Sequence, residues 1–355
     1  MNKNALFCRR AVDPSAYLLY YICSRATECI TITGVTMQYG KIEGVEKPVS
    51  KIICGTASAP LSGGKDCTAL LEGIFALGVN TFDTARVYGG AERTLGRWLQ
   101  NSGRRNGAVI ISKCCHPDIF GRKRVNVRAM RADLGRTLRM LCTDYADVYL
   151  LHRDDRGVPV GPLVEEFNAM HAAGKVRAFG GSNWSHERVE EANEYAYAHG
   201  LVPFTVTSPN FSLAEQVGDL WGGGVSISGA AGAEARAYYA QRGVAVVAYS
   251  SLARGLLSGK VVPDGSNALK VLDKFAVKGY YSKENLACLE RCAKVAENRG
   301  ASVAQVALAY VLCSGMNAFA VVSCSSAARM RQNCAAAEIS LSAEEIAFLE
   351  GVQSR

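Results

Sequence analysis

Four side chains of this sequence could together deliver a proton to a developing oxyanion: Asp83, Tyr88, Lys113 and His152. Asp83 ends the apolar run NTFD, Tyr88 follows five residues later ahead of a glycine pair, Lys113 stands in VIISKC, and His152 ends ADVYLLH. Adding a hydride to a carbonyl leaves an alkoxide, which needs a proton and a donor that polarises the C=O bond as charge builds on oxygen. A free phenol, with a pKa near ~10, is a poor acid at neutral pH. A neighbouring ammonium favours the phenolate and is expected to lower that value, and a carboxylate beside the lysine keeps the ammonium charged and positioned. Tyrosine, lysine and aspartate then act as one acid, and His152 can orient the carbonyl oxygen through a hydrogen bond. Singly, each residue has an ordinary explanation: a helix cap, a half-buried aromatic, a solvated rim charge, a packed imidazole. Together, four chemically matched types occupy the same end of consecutive apolar runs.

Such a set works only if the chain gathers those ends in one place. Eight short runs rich in β-branched residues recur from position 52: IICGTA at 52, NTFDTA at 80, AVIISKC at 108, ADVYLLH at 146, VRAFGGSN at 176, FTVTSP at 204, VAVVAYS at 244 and AFAVVS at 318. Amphipathic helical patterns separate them. Leu163, Phe167 and Met170 fall at i, i+4 and i+7 before Gly174, and SVAQVALAYVL opens on Ser302 as an N-cap. Strands alternating with helices predict a parallel sheet, and eight such units in about 300 residues predict a closed (β/α)₈ TIM barrel of the α/β class. The alternating MQYGKIEGVEKPVSKI about Gly44 predicts an N-terminal β-hairpin, and the long connections after Trp221 and from Ser251 to Asn317 predict long βα loops. In such a barrel the site sits at the carboxyl ends of the strands, which places Asp83, Lys113, His152, Ser182, Asn183, Ser208, Tyr249 and Ser250 at the mouth.

The bulk properties fit one large domain over residues 37–355. Of the 355 residues, 49% are hydrophobic, with no apolar run long enough to span a membrane. Residues 1–36 resemble a signal peptide in having two arginines before a short apolar stretch. Arg25 and Glu28 interrupt that stretch and no small-residue cleavage site follows, so it reads as an N-terminal extension. The net charge of +8 comes from 40 basic and 32 acidic residues scattered along the chain, without the basic stripe of a nucleic-acid face. The 13 cysteines form no C-x-x-C pair, which predicts reduced thiols in a cytoplasmic setting and no zinc ribbon. His116 and His152 have no carboxylate at metal-ligand spacing, so no metal is expected. Neither SGGKD around Lys65 nor ISGAAGAE completes a phosphate-binding glycine motif.

At the residues that carry this chemistry the sequence resembles the aldo-keto reductase superfamily: FDTARVYG with Asp83 and Tyr88, ISKC with Lys113, LLHR with His152 and GGSNW with Ser182 and Asn183 match that family's motifs in type, order and approximate spacing. The resemblance runs from about Met37 to the C-terminus. It implies a nicotinamide cofactor, with Tyr88 as general acid, Asp83 and Lys113 as its tuners and His152 as the orienting donor. It further implies that Ser182 and Asn183 bind the carboxamide, that Tyr249 stacks on the ring, and that Ser250, Leu252 and Arg254 contact the pyrophosphate, with Gly55, Thr56 and Ser323 completing the cofactor site. Family members often hold the 2′-phosphate of NADPH with a basic residue where this chain has Ser325. Arg329 and Asn333, one helical turn apart, are then expected to serve the phosphate and adenine, and NADPH is favoured over NADH. Ser208 replaces the family's usual strand-six glutamine and is expected to act through water.

The expected activity is reduction of an aldehyde or ketone, a small-molecule carbonyl. HRDDRG, with Arg153, Asp154, Asp155 and Arg156 near the mouth, suits polar or sugar-like substrates. Two other readings use the same residues: a Schiff-base aldolase with Lys113 as nucleophile, and a non-catalytic, NADPH-sensing regulatory subunit.

Overall fold

A computed structural model describes residues 29–32 and 35–352. Three short strands come first, β1 (Cys29–Ile32), β2 (Val35–Gly40) and β3 (Val49–Ser50), and form an antiparallel sheet in that order. Tyr39 faces Ser50 and Gly40 faces Val49, which is the hairpin expected around Gly44. β1 adds an outer strand from within the stretch that sequence sets apart as an extension. The signal-peptide-like part of that stretch, residues 1–28, lies outside the described residues.

Eight parallel strands follow and close on themselves: β4 (Ile52–Gly55), β5 (Thr81–Asp83), β6 (Val109–Cys114), β7 (Ala146–Leu151), β8 (Val176–Ser182), β9 (Val206–Ser208), β10 (Ala245–Ala248) and β11 (Ala318–Val322), with β11 pairing back to β4. This is the (β/α)₈ barrel, and every one of the eight apolar runs supplies one strand.

The period-two alternation of a strand explains both the core and the site. Ile53, Val109, Ile111, Val148, Leu150, Ala178, Val206, Ala245, Val247 and Phe319 pack together inside the barrel. Their neighbours Phe82, Ile110, Tyr149, Phe179 and Val246 point outward into the helix layer. Continuing the inward series by one or two further steps along each strand, and from Thr81 in β5, arrives at Gly55, Asp83, Lys113, His152, Ser182, Ser208, Tyr249 and Ser323. The residues that fill the barrel and those that line its mouth belong to the same set of strand faces.

Outside the barrel, helix Val160–Ala172 buries Leu163, Phe167 and Met170, each contributing about 1.5–3 kcal/mol of transfer free energy. Ser302 caps helix Val303–Leu312 in a full capping box with Gln305. The long β10 to β11 connection holds helices Ala268–Val271, Lys274–Tyr280 and Lys283–Asn298 before that one. Of the ten cysteines from Cys54 to Cys334, all free thiols, eight are buried as small apolar side chains. Among the described residues no helix is long and apolar enough to cross a membrane.

The amino end of the barrel is plugged by the loop between β2 and β3, whose Ile42 and Val45 join the interior cluster. Gly44 makes this possible: its φ is +88°, and a Cβ there would stand 2.7 Å from the Arg177 carbonyl oxygen. Asp147, 1% exposed, ties the plug to the strands through Lys47 (2.6 Å), Arg105 (2.9 Å) and the backbone N–H of Ile110 (2.9 Å). Replacing Asp147 with Ala leaves the half-buried Lys47 and Arg105 without their carboxylate and the Ile110 N–H without its acceptor, and should cost about 1–3 kcal/mol of unfolding free energy, read as a lower denaturant midpoint. An unchanged midpoint would show that the plug is held by packing alone.

Candidate active site

At the carboxyl end of the barrel, Asp83, Lys113 and His152 come from three consecutive strand ends and are 5%, 3% and 7% exposed. The Lys113 ammonium donates to the Asp83 carboxylate, to the Thr84 carbonyl (3.1 Å) and to the Tyr88 hydroxyl (3.4 Å). All three donor directions of the ammonium are thus used in aiming it. Thr84, whose carbonyl takes the middle bond, had no signal in the sequence because its side chain plays no part. Burial disfavours the charged lysine, yet Asp83 and Tyr88 outweigh it and hold its pKa above the ordinary lysine value. Burial raises the Asp83 carboxyl in spite of the attraction of Lys113.

Tyr88 requires a correction. Lys113 does draw its phenol toward the ionised form, as its position suggests. Burial is the larger effect and Asp83 adds to it, so the net direction is upward, and the group is a protonated phenol at neutral pH. The Tyr88 and His152 rings meet edge to face with centroids 5.7 Å apart. His152 is depressed well below an ordinary histidine by burial first, then by Lys113, His116 and Arg153. It is therefore a neutral imidazole at neutral pH, and its Nδ1 is buried without a hydrogen-bond partner among the described residues.

Asn183 joins four segments at the mouth. Its Oδ1 accepts from the Tyr249 hydroxyl (2.7 Å) and the Val225 N–H (3.2 Å), while its Nδ2 donates to the His152 carbonyl (3.2 Å) and to Ser182 Oγ (3.1 Å). Ser182 in turn donates to the Ser208 carbonyl (2.9 Å), so the engaged part of Ser208 is its backbone. Gly181 must lack a side chain, since a Cβ would lie 2.4 Å from Cγ of Trp184. Asn210, just beyond β9, was missed by sequence reading although it is a polar residue past an apolar strand. Fully buried, it accepts from Ser226 (2.9 Å) and donates to the Tyr280 hydroxyl (2.7 Å), which makes Tyr280 a tie between loops.

Six described non-glycine residues have positive φ, and five lie at the barrel mouth: Cys115, Asn183, Ser250, Ala253 and Arg254. Such backbone is costly and concentrates where a site demands it. The last three lie in the loop after β10, which is folded into consecutive tight turns from Ser250 to Leu257. Arg254 pairs with Asp273 (3.0 Å) and lies over the Trp221 and Phe275 rings. Across the mouth, Ser323 donates to the Gly55 carbonyl (3.3 Å), and Ser326 caps the helix Ala327–Cys334 that follows exposed Ser325. Arg329 is exposed there and Asn333 is buried. Thr56 braces the Asp83 carbonyl with both its hydroxyl and its N–H, each at 3.0 Å. Leu252 is half-buried. Hydroxyls, two arginines, a helix N-terminus and an aromatic ring around one opening fit a dinucleotide. Among the described residues no group of three or more His, Cys, Asp or Glu could hold a metal ion. A groove lined by Glu190, Glu194, Tyr197, Tyr238 and Arg242 opens at the amino-terminal end and contains none of these residues.

The family model described as the aldo/keto reductase family matches residues 51–354. The chain is 23% identical over 330 residues to an uncharacterized oxidoreductase, YrpG, of Bacillus subtilis (strain 168), spanning 89% of this chain and 96% of that protein. It is 27% identical over 299 residues to the L-glyceraldehyde 3-phosphate reductase of Escherichia coli O157:H7 (79% and 82% covered). It is also 28% identical over 261 residues to a probable voltage-gated potassium channel subunit beta of Oryza sativa subsp. japonica (69% and 74% covered).

The neutral His152 has a measurable signature. In a histidine NMR titration its ring should stay neutral as the pH falls through the ordinary value of ~6.5. An unfolded histidine takes up a proton in that window and the native one does not, so stability should decline as pH drops below about 6.5. A normal titration of this ring would refute its buried, cation-flanked setting.

Proposed function

The chain belongs to the aldo/keto reductase family, and we propose that it reduces an aldehyde or ketone to the alcohol using NADPH, with Tyr88 as the proton donor. The observation that carries this reading is the buried Lys113 ammonium shared between the Asp83 carboxylate and the Tyr88 hydroxyl. When bound, the reduced nicotinamide supplies the hydride to the carbonyl carbon. Ser182, Asn183 and Tyr249 would hold its nicotinamide end. Gly55, Thr56, Ser250, Leu252 and Arg254 would line its phosphates, and Ser323, Ser325, Arg329 and Asn333 its adenosine 2′-phosphate end. The preference for NADPH over NADH rests on Arg329 and on the helix N-terminus behind Ser326.

The chain's own work is the handling of one proton. Neutral His152 donates a ring N–H to the substrate oxygen and fixes its lone pairs toward Tyr88. As the C=O π electrons withdraw onto oxygen, the Tyr88 O–H proton transfers to it, and the phenolate left behind is stabilised by Lys113 at 3.4 Å. Solvent then returns a proton to Tyr88. The upward displacement keeps Tyr88 protonated at neutral pH but makes it a weaker acid, so the transfer depends on Lys113 stabilising the phenolate as it forms. The whole activity is assigned to the single domain 37–355, in a reducing, cytoplasmic setting consistent with the buried free thiols.

A Schiff-base aldolase needs Lys113 as a neutral amine, and the Asp83 carboxylate holds it charged. The kinship with potassium channel beta subunits keeps a cofactor-sensing role as a second reading. The complete set of four residues weighs toward catalysis.

Tyr88→Phe should lower kcat by about 10²–10⁴, measured as NADPH oxidation against a panel of aldehydes, ketones and sugars, with NADPH affinity by fluorescence titration unchanged. Full activity in this variant would remove Tyr88 from the chemistry. Substrate-dependent borohydride trapping on Lys113 would favour the aldolase, and tight NADPH binding without turnover of any carbonyl would favour the sensor. The wild-type reduction rate should stay level through neutral pH and decline only on the alkaline side, near or above the ordinary phenol value of ~10. A decline already at neutral pH would mean that the net displacement of the phenol is downward.

A further inference from the structure

Arg153, the residue after His152, is a buried cation without a counter-ion. It is 8% exposed, and its guanidinium has neither a hydrogen-bond nor an ion-pair partner among the described residues. Its backbone is held, since the Arg153 carbonyl accepts from Trp184 Nε1 at 3.3 Å. The acidic groups around it are committed elsewhere. Asp154 pairs with Arg188 (3.3 Å) and Asp155 with Lys123 (2.8 Å). Asp133 is held by Arg86 (3.1 Å) and Arg124 (2.9 Å), and Asp83 by Lys113. HRDDRG therefore does not neutralise itself at the mouth: both of its carboxylates are drawn to other cations, and Arg153 is left over.

The charge of Arg153 is felt by the groups that surround the reacting position. It disfavours protonation of His116 and His152 and favours ionisation of Tyr88 and Tyr249. His116 stands edge-on to His152 at 4.8 Å, with its Nδ1 against the Pro117 carbonyl at 3.0 Å. The Arg153 guanidinium keeps some contact with solvent, since none of its nitrogens is among the fully buried unpaired atoms, so water is what an anionic ligand would displace. Its planar fork matches the two oxygens of a carboxylate or phosphate.

We propose that Arg153 determines substrate specificity, receiving a carboxylate or phosphate monoester carried by the carbonyl compound. This rests on the reductase reading of the same site. A pocket that offers a buried, unpaired guanidinium discriminates strongly against a neutral analogue, which enters without satisfying it. The substrate class is thus an anionic aldehyde or ketone, and the carboxylate and phosphate forms share one recognition chemistry.

The test compares matched pairs: succinic semialdehyde against butanal for the carboxylate, and glyceraldehyde 3-phosphate against glyceraldehyde for the phosphate. Each pair is assayed by NADPH oxidation with the wild type, Arg153→Gln and Arg153→Lys, and NADPH fluorescence verifies that each variant is folded. The wild type should favour the anionic member of at least one pair tenfold or more in kcat/KM, and the pair that shows it identifies the substituent. Arg153→Gln should reduce that anionic-to-neutral ratio at least tenfold, chiefly through KM, and Arg153→Lys should recover part of it. Equal kcat/KM within both pairs in the wild type, or a ratio unchanged in Arg153→Gln, overturns the assignment. If no carbonyl is turned over, the reductase reading fails by itself, and calorimetry with succinate and the NADPH-loaded protein decides the anion site separately. Binding to the wild type that is lost in Arg153→Gln supports it. Binding equal in both, or absent from both, overturns it.

Discussion

The buried contact of Lys113 with Asp83 is the constraint around which the mouth of this barrel is organised. Desolvation at this depth opposes both charges, and each group offsets the cost of the other: Asp83 holds Lys113 above the ordinary lysine value, and Lys113 counters part of the burial that raises Asp83. The two groups sit on adjacent strands whose register pairs Asp83 with Ile111, two residues before Lys113. Side chains on the same face of neighbouring strands at that offset can meet across the barrel mouth. The hydroxyl of Tyr88, arriving from the loop after β5, completes the coordination of the ammonium. The reactive phenol is thereby positioned by an ion pair that is itself positioned by backbone hydrogen bonding.

The two ends of the barrel divide the labour. At the amino end, Asp147 and the glycine-dependent plug close the interior, and their contacts are structural. At the carboxyl end the same inward-facing strand positions pass from aliphatic to polar, and most of the strained backbone among the described residues is concentrated there. The loops over this end are joined to one another: Asn210 links the excursion after β9 to Tyr280, and Arg254 lies over Trp221 of that excursion and over Phe275 of its own connection. A rigid set of strand ends thus carries the proton chemistry, while cross-braced loops frame the opening through which cofactor and substrate must pass.

Much of this was legible in the amino-acid order because strand alternation is a local property. Each apolar run ended on a polar residue that continued its inward-facing series, so Asp83, Lys113, His152 and Ser182 could be placed at one end of a barrel from periodicity. Family resemblance then supplied roles for them. What escaped were contributions made by backbone and by distant partners. The Thr84 carbonyl has no side-chain signature, and Ser208 engages through its main chain. Asn210 looked like any loop asparagine until its partners, as far away as Tyr280, were known.

The order of residues by itself determined the eight strands, the helices between them and the chemical types at the barrel mouth, because these follow from hydrophobic period, capping and turn chemistry within short stretches. Only the tertiary structure decided the balance of electrostatics. Whether Lys113 lowers the Tyr88 pKa or burial raises it depends on how much water is excluded around both. Whether Arg153 is neutralised by Asp154 and Asp155 depends on Arg188 and Lys123, which compete for those carboxylates from elsewhere in the chain. Desolvation and competition among charges are sums over all neighbours in space, and no local stretch of sequence contains them.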